Sequence, residues 1–212
     1  VVRRERGVWA GKRVMGTAGK EGFGAAKSEA GIKAIIVSEA SAGGEVLRIK
    51  GGEPAVFARL DEEIEACEAH DIAFSIIPGI TAASASAAAL GQSLTKRGRN
   101  TEARLVTGHD MRGYADQDWK SLARAGEVAA IYMGKRAARF IQGRLLMHGA
   151  AANTPVSLVE NASLPNQRIV ATTLGQLPNA LAEAALTGPA LTLLGLAPRD
   201  AVAPTLKQEV AQ

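Results

Sequence analysis

The stretch "VLRIKGGEPAVFARLDEE", residues 46–63, changes character at its centre. Val46, Leu47 and Ile49 form a short apolar run with a β-branched bias, closed by Gly51-Gly52, and read as a strand ending in a turn. Beyond Pro54, Phe57, Leu60, Ile64 and Cys67 recur at helical spacing, with Asp61, Glu62, Glu63 and Glu65 mostly on the opposite face. A strand, a glycine turn and a helix form the shape that lets a ligand approach bare backbone at a strand's carboxyl end. A tight turn without a ligand is the alternative reading of one Gly-Gly pair.

The same pattern recurs along the chain. "AFSII" (73–77) runs into Pro78-Gly79 and an alanine-rich helix from Thr81 to Leu90. "ARLV" (103–106) reaches Thr107-Gly108-His109 and a helix around "DWKSLARAG" (118–126). "VAAIYM" (128–133) reaches Gly134 and a helix through "AARFIQGRLLMH" (137–148), "PVSLVE" (155–160) leads into Asn161, and "ALTLL" (190–194) into Gly195. Alternating strands and helices predict an α/β fold with largely parallel pairing. Apolar strands closing on Gly51, Gly79, Gly108, Gly134 and Gly195 favour a ligand crevice along strand ends. The polar stretch "SLTKRGRNTEA" (93–103) suggests two α/β lobes, residues 1–101 and 102–212, with a cleft between them.

Composition narrows the function classes. A chain of 212 residues with 47% hydrophobic content suits a globular core, and the single cysteine, Cys67, excludes an internal disulfide. No apolar run approaches the ~18 residues of a membrane span, and the basic opening "VVRRERGVW" has no apolar segment behind it, so a cytoplasmic protein is expected. The net charge of +4 invites a nucleic-acid reading, but aromatics are only 4% of residues, too few for stacking platforms. The basic residues instead concentrate in "TKRGRN" (95–100) and "GKRAARF" (134–140), which read either as solvated surface or as a cleft for a small polyanion. His70 and His148 sit near helix ends, where a cation suits the dipole, and His109 at a strand end faces the crevice. No spacing of His, Cys and carboxylates resembles a metal site.

Five ordered stretches, "VLRIKGGEPAVFARLDEE", "IIPGITAASASAAALGQSLTKRG", "RLVTGHD", "IYMGK" and "TPVSLVENASLPNQRIV", resemble the tetrapyrrole methylases, most closely the uroporphyrinogen-III C-methyltransferases, stand-alone or within siroheme synthase. The resemblance covers roughly residues 30 to 198. It implies a two-lobed, usually homodimeric fold with S-adenosylmethionine in the cleft, left as S-adenosylhomocysteine after two methyl transfers to uroporphyrinogen III. The product would be precorrin-2, for siroheme or cobalamin. The family's cofactor-contacting Gly-Gly-Asp falls on Gly51, Gly52 and Glu53, its aliphatic contact on Val56, and its Thr-Ala pair on Thr81 and Ala82. Its Tyr-Met-Gly methionine falls on Met133, and the small residue of its Glu-Asn-Gly/Ala stretch on Ala162. An acidic macrocycle makes Lys96, Arg97, Arg99, Lys135 and Arg136 candidate substrate contacts.

The chain departs from the family in three ways. Glu53 replaces the aspartate, placing its carboxylate one methylene further out, and Ala58 and Leu60 stand where a more glycine-rich turn is expected. The family's opening strand, its Gly-x-Gly-Pro-Gly-Asp loop and the catalytic aspartate after it have no counterpart in residues 1–31, so the N-terminal lobe is expected to be incomplete, by truncation or divergence. The proton-donating lysine of the family's Gly-Lys-Arg stretch maps to Lys20 at gapless spacing, or to Lys12 in an intact "GKR". The readings that follow are a methyltransferase or a portion of one, acting on uroporphyrinogen III or on another corrin precursor, and a non-catalytic descendant that binds cofactor or tetrapyrrole or serves as an interaction partner of the full enzyme.

Overall fold

The structure, a computed structural model, describes residues 28–199, so Lys12 and Lys20 lie outside the described residues. The chain divides into two compact units, residues 1–79 and 80–212, and the lobe boundary expected after residue 101 lies inside the second.

In the first unit, helix α1 (Glu29–Ser41) begins at Ser28, whose Oγ accepts the Gly31 N–H at 3.1 Å, and Glu29 complements the dipole of its first turn. Helix α2 (Leu60–Glu68) packs against α1 and buries Glu63 and Cys67. Its three first-turn carboxylates, Asp61, Glu62 and Glu63, favour the same end of the dipole. Glu63 turns inward to meet Arg48 Nε at 3.0 Å and Lys50 Nζ at 2.9 Å, tying α2 to the segment before the Gly51-Gly52 turn.

The strands expected over 46–49 and 73–77 do not form among the described residues. A strand exists through its ladder, and neither segment has a ladder partner there. Leu47 and Ile77 are correspondingly 66% and 71% exposed. Apolar, β-branched composition marks a fit to a pleated surface, which does not suffice without a neighbour.

The second unit is built on a five-stranded sheet. In chain order it contains α3 (Ala82–Ala89), β1 (Arg104–Thr107), the short hairpin β2 (His109–Asp110) and β3 (Gly113–Tyr114), α4 (Trp119–Leu122), β4 (Ala129–Tyr132) and α5 (Gly134–Met147). Then come β5 (Pro155–Glu160), β6 (Arg168–Thr173), a 3-10 turn (Leu174–Gln176), α6 (Leu177–Ala184) and β7 (Ala190–Leu194). The strand order is β1-β4-β7-β5-β6.

Pairing is not largely parallel. Among the described residues only β1 and β4 pair in parallel, while β7 runs antiparallel to both β4 and β5, and β6 antiparallel to β5. The link between β5 and β6, residues 161–167, is shorter than the dozen or so residues a parallel crossover needs.

The apolar runs of β4, β5 and β7 are nearly continuous because both faces of the sheet are covered. Ala129, Ile131, Val156, Leu158 and Leu194 pack with Ile141 and Leu145 of α5 and with Leu177 of α6. Val128, Ala130, Val159, Leu191 and Leu193 pack with Ala83 of α3 and with Leu90. Among the described residues no helix is long and apolar enough to cross a membrane.

Candidate functional site

Strand direction sorts the glycines expected to line a crevice. β1 and β4 are parallel, and β5 points the same way because both β4 and β5 oppose β7. The carboxyl ends of β1, β4 and β5 therefore share one edge, which carries Gly108-His109, Met133-Gly134 and Asn161-Ala162. Gly195 ends β7 at the opposite edge and does not belong to that crevice. Its φ of +80 and the 2.0 Å from a built Cβ to the Glu127 carbonyl oxygen explain the glycine structurally.

Close backbone packing creates this edge. A Cβ on Gly108 would lie 3.0 Å from both Gly134 Cα and the Met133 carbonyl oxygen, and one on Gly134 would lie 3.1 Å from Thr192 Oγ1. The two strand ends thus meet through bare backbone, and the chain at Met133 turns through a left-handed conformation, φ +54, into α5. The Met133 side chain is half exposed, at 51%. His109 Nδ1 lies 3.3 Å from the Met133 carbonyl, and its ring meets Tyr114 edge-on at 5.0 Å.

Thr81 and Ala82, at the start of α3, are held to the same strand. The Tyr132 hydroxyl accepts the Ala83 N–H at 3.1 Å and shares a hydrogen bond with Thr81 Oγ1. Ala162 follows Asn161, whose own φ is +51 and whose N–H donates to the Pro189 carbonyl at 2.9 Å. Buried Glu160 fixes this corner by accepting the Gly188 N–H and pairing with Arg168 at 3.3 Å. Tyr132 and Glu160 are not among the site residues expected from the sequence. A carboxylate ending the apolar run "PVSLV" was the available signal for Glu160; nothing local marks Tyr132.

The first unit carries Gly51, Gly52, Glu53 and Val56. Glu53 Oε1 accepts the Ala55 N–H at 3.0 Å and Oε2 accepts the Gly79 N–H at 2.7 Å. These two bonds, Ala55 foremost, hold its carboxyl below the usual range. A Cβ on Gly79 would lie 2.7 Å from the Gly52 carbonyl oxygen, so the two glycine turns touch. The left-handed positions in this stretch fall on Phe57, φ +49, and Arg59, φ +56.

The expected substrate contacts separate into two kinds. Lys96 and Arg97 are exposed beside a cavity of about 670 Å³, also lined by Arg99, Arg124, Glu102 and Glu127. Arg136 is exposed at the start of α5. Arg99 instead binds the carbonyls of Ser93 (2.6 Å) and Leu94 (3.1 Å) and Asn100 Oδ1 (2.9 Å). Lys135 Nζ donates to the carbonyls of Leu186 and Gly188, each at 2.8 Å. Both serve as internal braces. Among the described residues no group of three or more His, Cys, Asp or Glu could hold a metal ion.

Residues 5–178 match the family described as Tetrapyrrole (Corrin/Porphyrin) Methylases. The chain is 41% identical over 164 residues to siroheme synthase of Azotobacter vinelandii, covering 77% of this chain and 35% of that protein. It is 44% identical over 164 residues to siroheme synthase of Edwardsiella ictaluri, with the same coverage. The chain spans about a third of the length of the curated relatives it matches. Among solved structures, uroporphyrin-III C-methyltransferase of Thermus thermophilus complexed with S-adenosylhomocysteine aligns with a TM-score of 0.66 at 30% identity, covering 89% of this chain and 80% of that one. A cobalt precorrin-4 methyltransferase shares the fold, with a TM-score of 0.71 at 22% identity over 80% of this chain and 71% of that one. The chain therefore belongs to the tetrapyrrole (corrin/porphyrin) methylases.

Proposed function

We propose that the chain is the methylase portion of a uroporphyrinogen-III C-methyltransferase, which carries methyl groups from S-adenosylmethionine to the macrocycle and yields precorrin-2. The observation that carries this reading is the edge formed by β1, β4 and β5, where Met133 stands half exposed beside small residues. Those residues fit the donor. Gly108 and Gly134 leave bare backbone beside an apolar, polarizable thioether, Thr81, Ala82 and Ala162 are small residues of the same proposed set, and Met133 at the N-cap of α5 makes no side-chain cap bond. Gly51, Gly52, Glu53 and Val56 belong to the same cofactor set, with Glu53 shaping the turn through its two backbone bonds rather than reaching outward.

When bound, the sulfonium supplies an already activated methyl group. The chain's contribution is to hold donor and carbon nucleophile in a near-attack geometry, worth about 7–11 kcal/mol of barrier at most. Arg136, exposed and cationic at the start of α5, draws in the carboxylates of the macrocycle, with Lys135 bracing the backbone beside it. Lys96 and Arg97, with Arg99 bracing their loop, line the cavity beside Glu127 at the amino ends of β1 and β4 and add longer-range attraction. Lys20 is retained as the proton donor. The same reading includes a homodimer and a cytoplasmic location.

The test is transfer of labelled methyl from S-adenosylmethionine to reduced uroporphyrinogen III, with products identified by mass spectrometry. Gain of two methyl groups is expected. Binding of S-adenosylhomocysteine without any transfer would instead support the non-catalytic reading.

A further inference from the structure

We infer that Tyr132 is a positioning residue of the methyl-donor site, an inference that rests on the function proposed above. Helix α3 begins at Thr81, a residue type that ordinarily caps its own helix by accepting an N–H of the first turn. Here Thr81 makes no such bond. Its Oγ1 is turned to the Tyr132 hydroxyl, which itself accepts the Ala83 N–H at 3.1 Å. A tyrosine from β4 thus replaces the cap of a helix 49 residues earlier in the chain.

The consequence is geometric. Tyr132 is the last residue of β4 and the next residue is Met133. Ala83 and Leu90, both fully buried, lock α3 to the sheet, and Gly134 is seated against Thr192 on the other side of Met133. The hydroxyl is therefore a strut between the Thr81-Ala82 pair and the methionine turn. Those are the two sides of the donor site in this unit. Removing the hydroxyl leaves the aromatic ring packed against the cluster that contains Ala83 and Leu90 but frees the first turn of α3.

Tyr132→Phe is the test, measured with three readouts on the chain as it stands. One hydrogen bond of ordinary worth corresponds to a weakening of S-adenosylhomocysteine binding by about three- to tenfold in titration calorimetry. Binding of uroporphyrin III, the stable oxidised form of the proposed substrate, should stay within about twofold. Where turnover is followed, KM for the donor rises and kcat holds. Unchanged donor affinity in a folded variant overturns the inference, and so does equal weakening of both ligands, which would mean general loosening. If the unsubstituted chain itself binds no S-adenosylhomocysteine, the proposed function fails. Hydrogen exchange then decides on the strut: a faster Ala83 amide in Tyr132→Phe supports it, and an unchanged one overturns it.

Discussion

Glu53 Oε2 accepts the backbone N–H of Gly79 at 2.7 Å, joining two glycine turns that lie 26 residues apart in the chain. The carboxylate that sequence similarity assigns to the cofactor is thereby committed, through Oε2 and the Oε1 bond from Ala55, to the shape of the turn itself. The extra methylene relative to aspartate gives it reach to another segment.

A pH dependence follows from these bonds. Because the folded carboxyl titrates lower than in the unfolded chain, its stabilising contribution is complete above the unfolded value, ~4.3. It disappears as pH falls through the lower folded value. Glu53→Gln, which removes one acceptor oxygen, should lower the melting temperature near neutral pH, and the gap to the unsubstituted chain should narrow below about pH 4. A gap that is constant from pH 7 to pH 3 would show that the carboxylate's charge plays no part.

Gly195 and Gly98 have nearly the same backbone, φ +80 and +79, and opposite surroundings. A Cβ at 195 meets the Glu127 carbonyl oxygen at 2.0 Å, whereas at 98 nothing among the described residues lies within 4 Å. Gly98→Ala should cost about 1–2 kcal/mol, the strain of a left-handed L-residue alone. Gly195→Ala should cost at least about 2 kcal/mol more, since backbone must move. Urea denaturation measures both, and equal losses would contradict the packing at β7's end.

Among the cations, electrostatics and bracing predict different phenotypes. Arg97→Ser should leave the melting temperature within about 1 °C and weaken uroporphyrin III binding, with less effect as salt rises, because exposed charges are screened over ~8–10 Å. Lys135→Met removes two bonds to the Leu186 and Gly188 carbonyls and should cost about 1.5–3 kcal/mol of stability. Salt-independent binding in the unsubstituted chain would leave Arg97 as ordinary surface.

The strands that packing covers on both faces were legible. Residues 190–194 and 155–160 form strands over the lengths their apolar runs suggested. β6 was missed although Ile169, Val170, Thr172 and Thr173 carry a strand composition, because a polar link precedes it and no glycine closes it. The helix expected around 118–126 shrinks to Trp119–Leu122, capped by Asp118 and closed at Ala123, with Gly126 turning the chain at φ +82 before β4. Local sequence does not encode strand direction. Gly195 therefore looks equivalent to Gly108 and Gly134 in the sequence, and β7's antiparallel pairing separates it from them. The site residues were legible only through family resemblance, since Thr81 and Ala162 have no local chemical signature. The hydroxyl of Tyr132 is visible only once β4 and α3 are packed.

An NMR titration of the labelled chain with S-adenosylhomocysteine tests most directly where the methyl donor binds. Saturable shifts are predicted at the amides of Gly51–Glu53, Thr81–Ala83, Met133–Gly134 and Asn161–Ala162, with Gly195, at the opposite edge of the sheet, unmoved. Absence of any shift at millimolar ligand, or shifts centred on Gly195 instead, would contradict it.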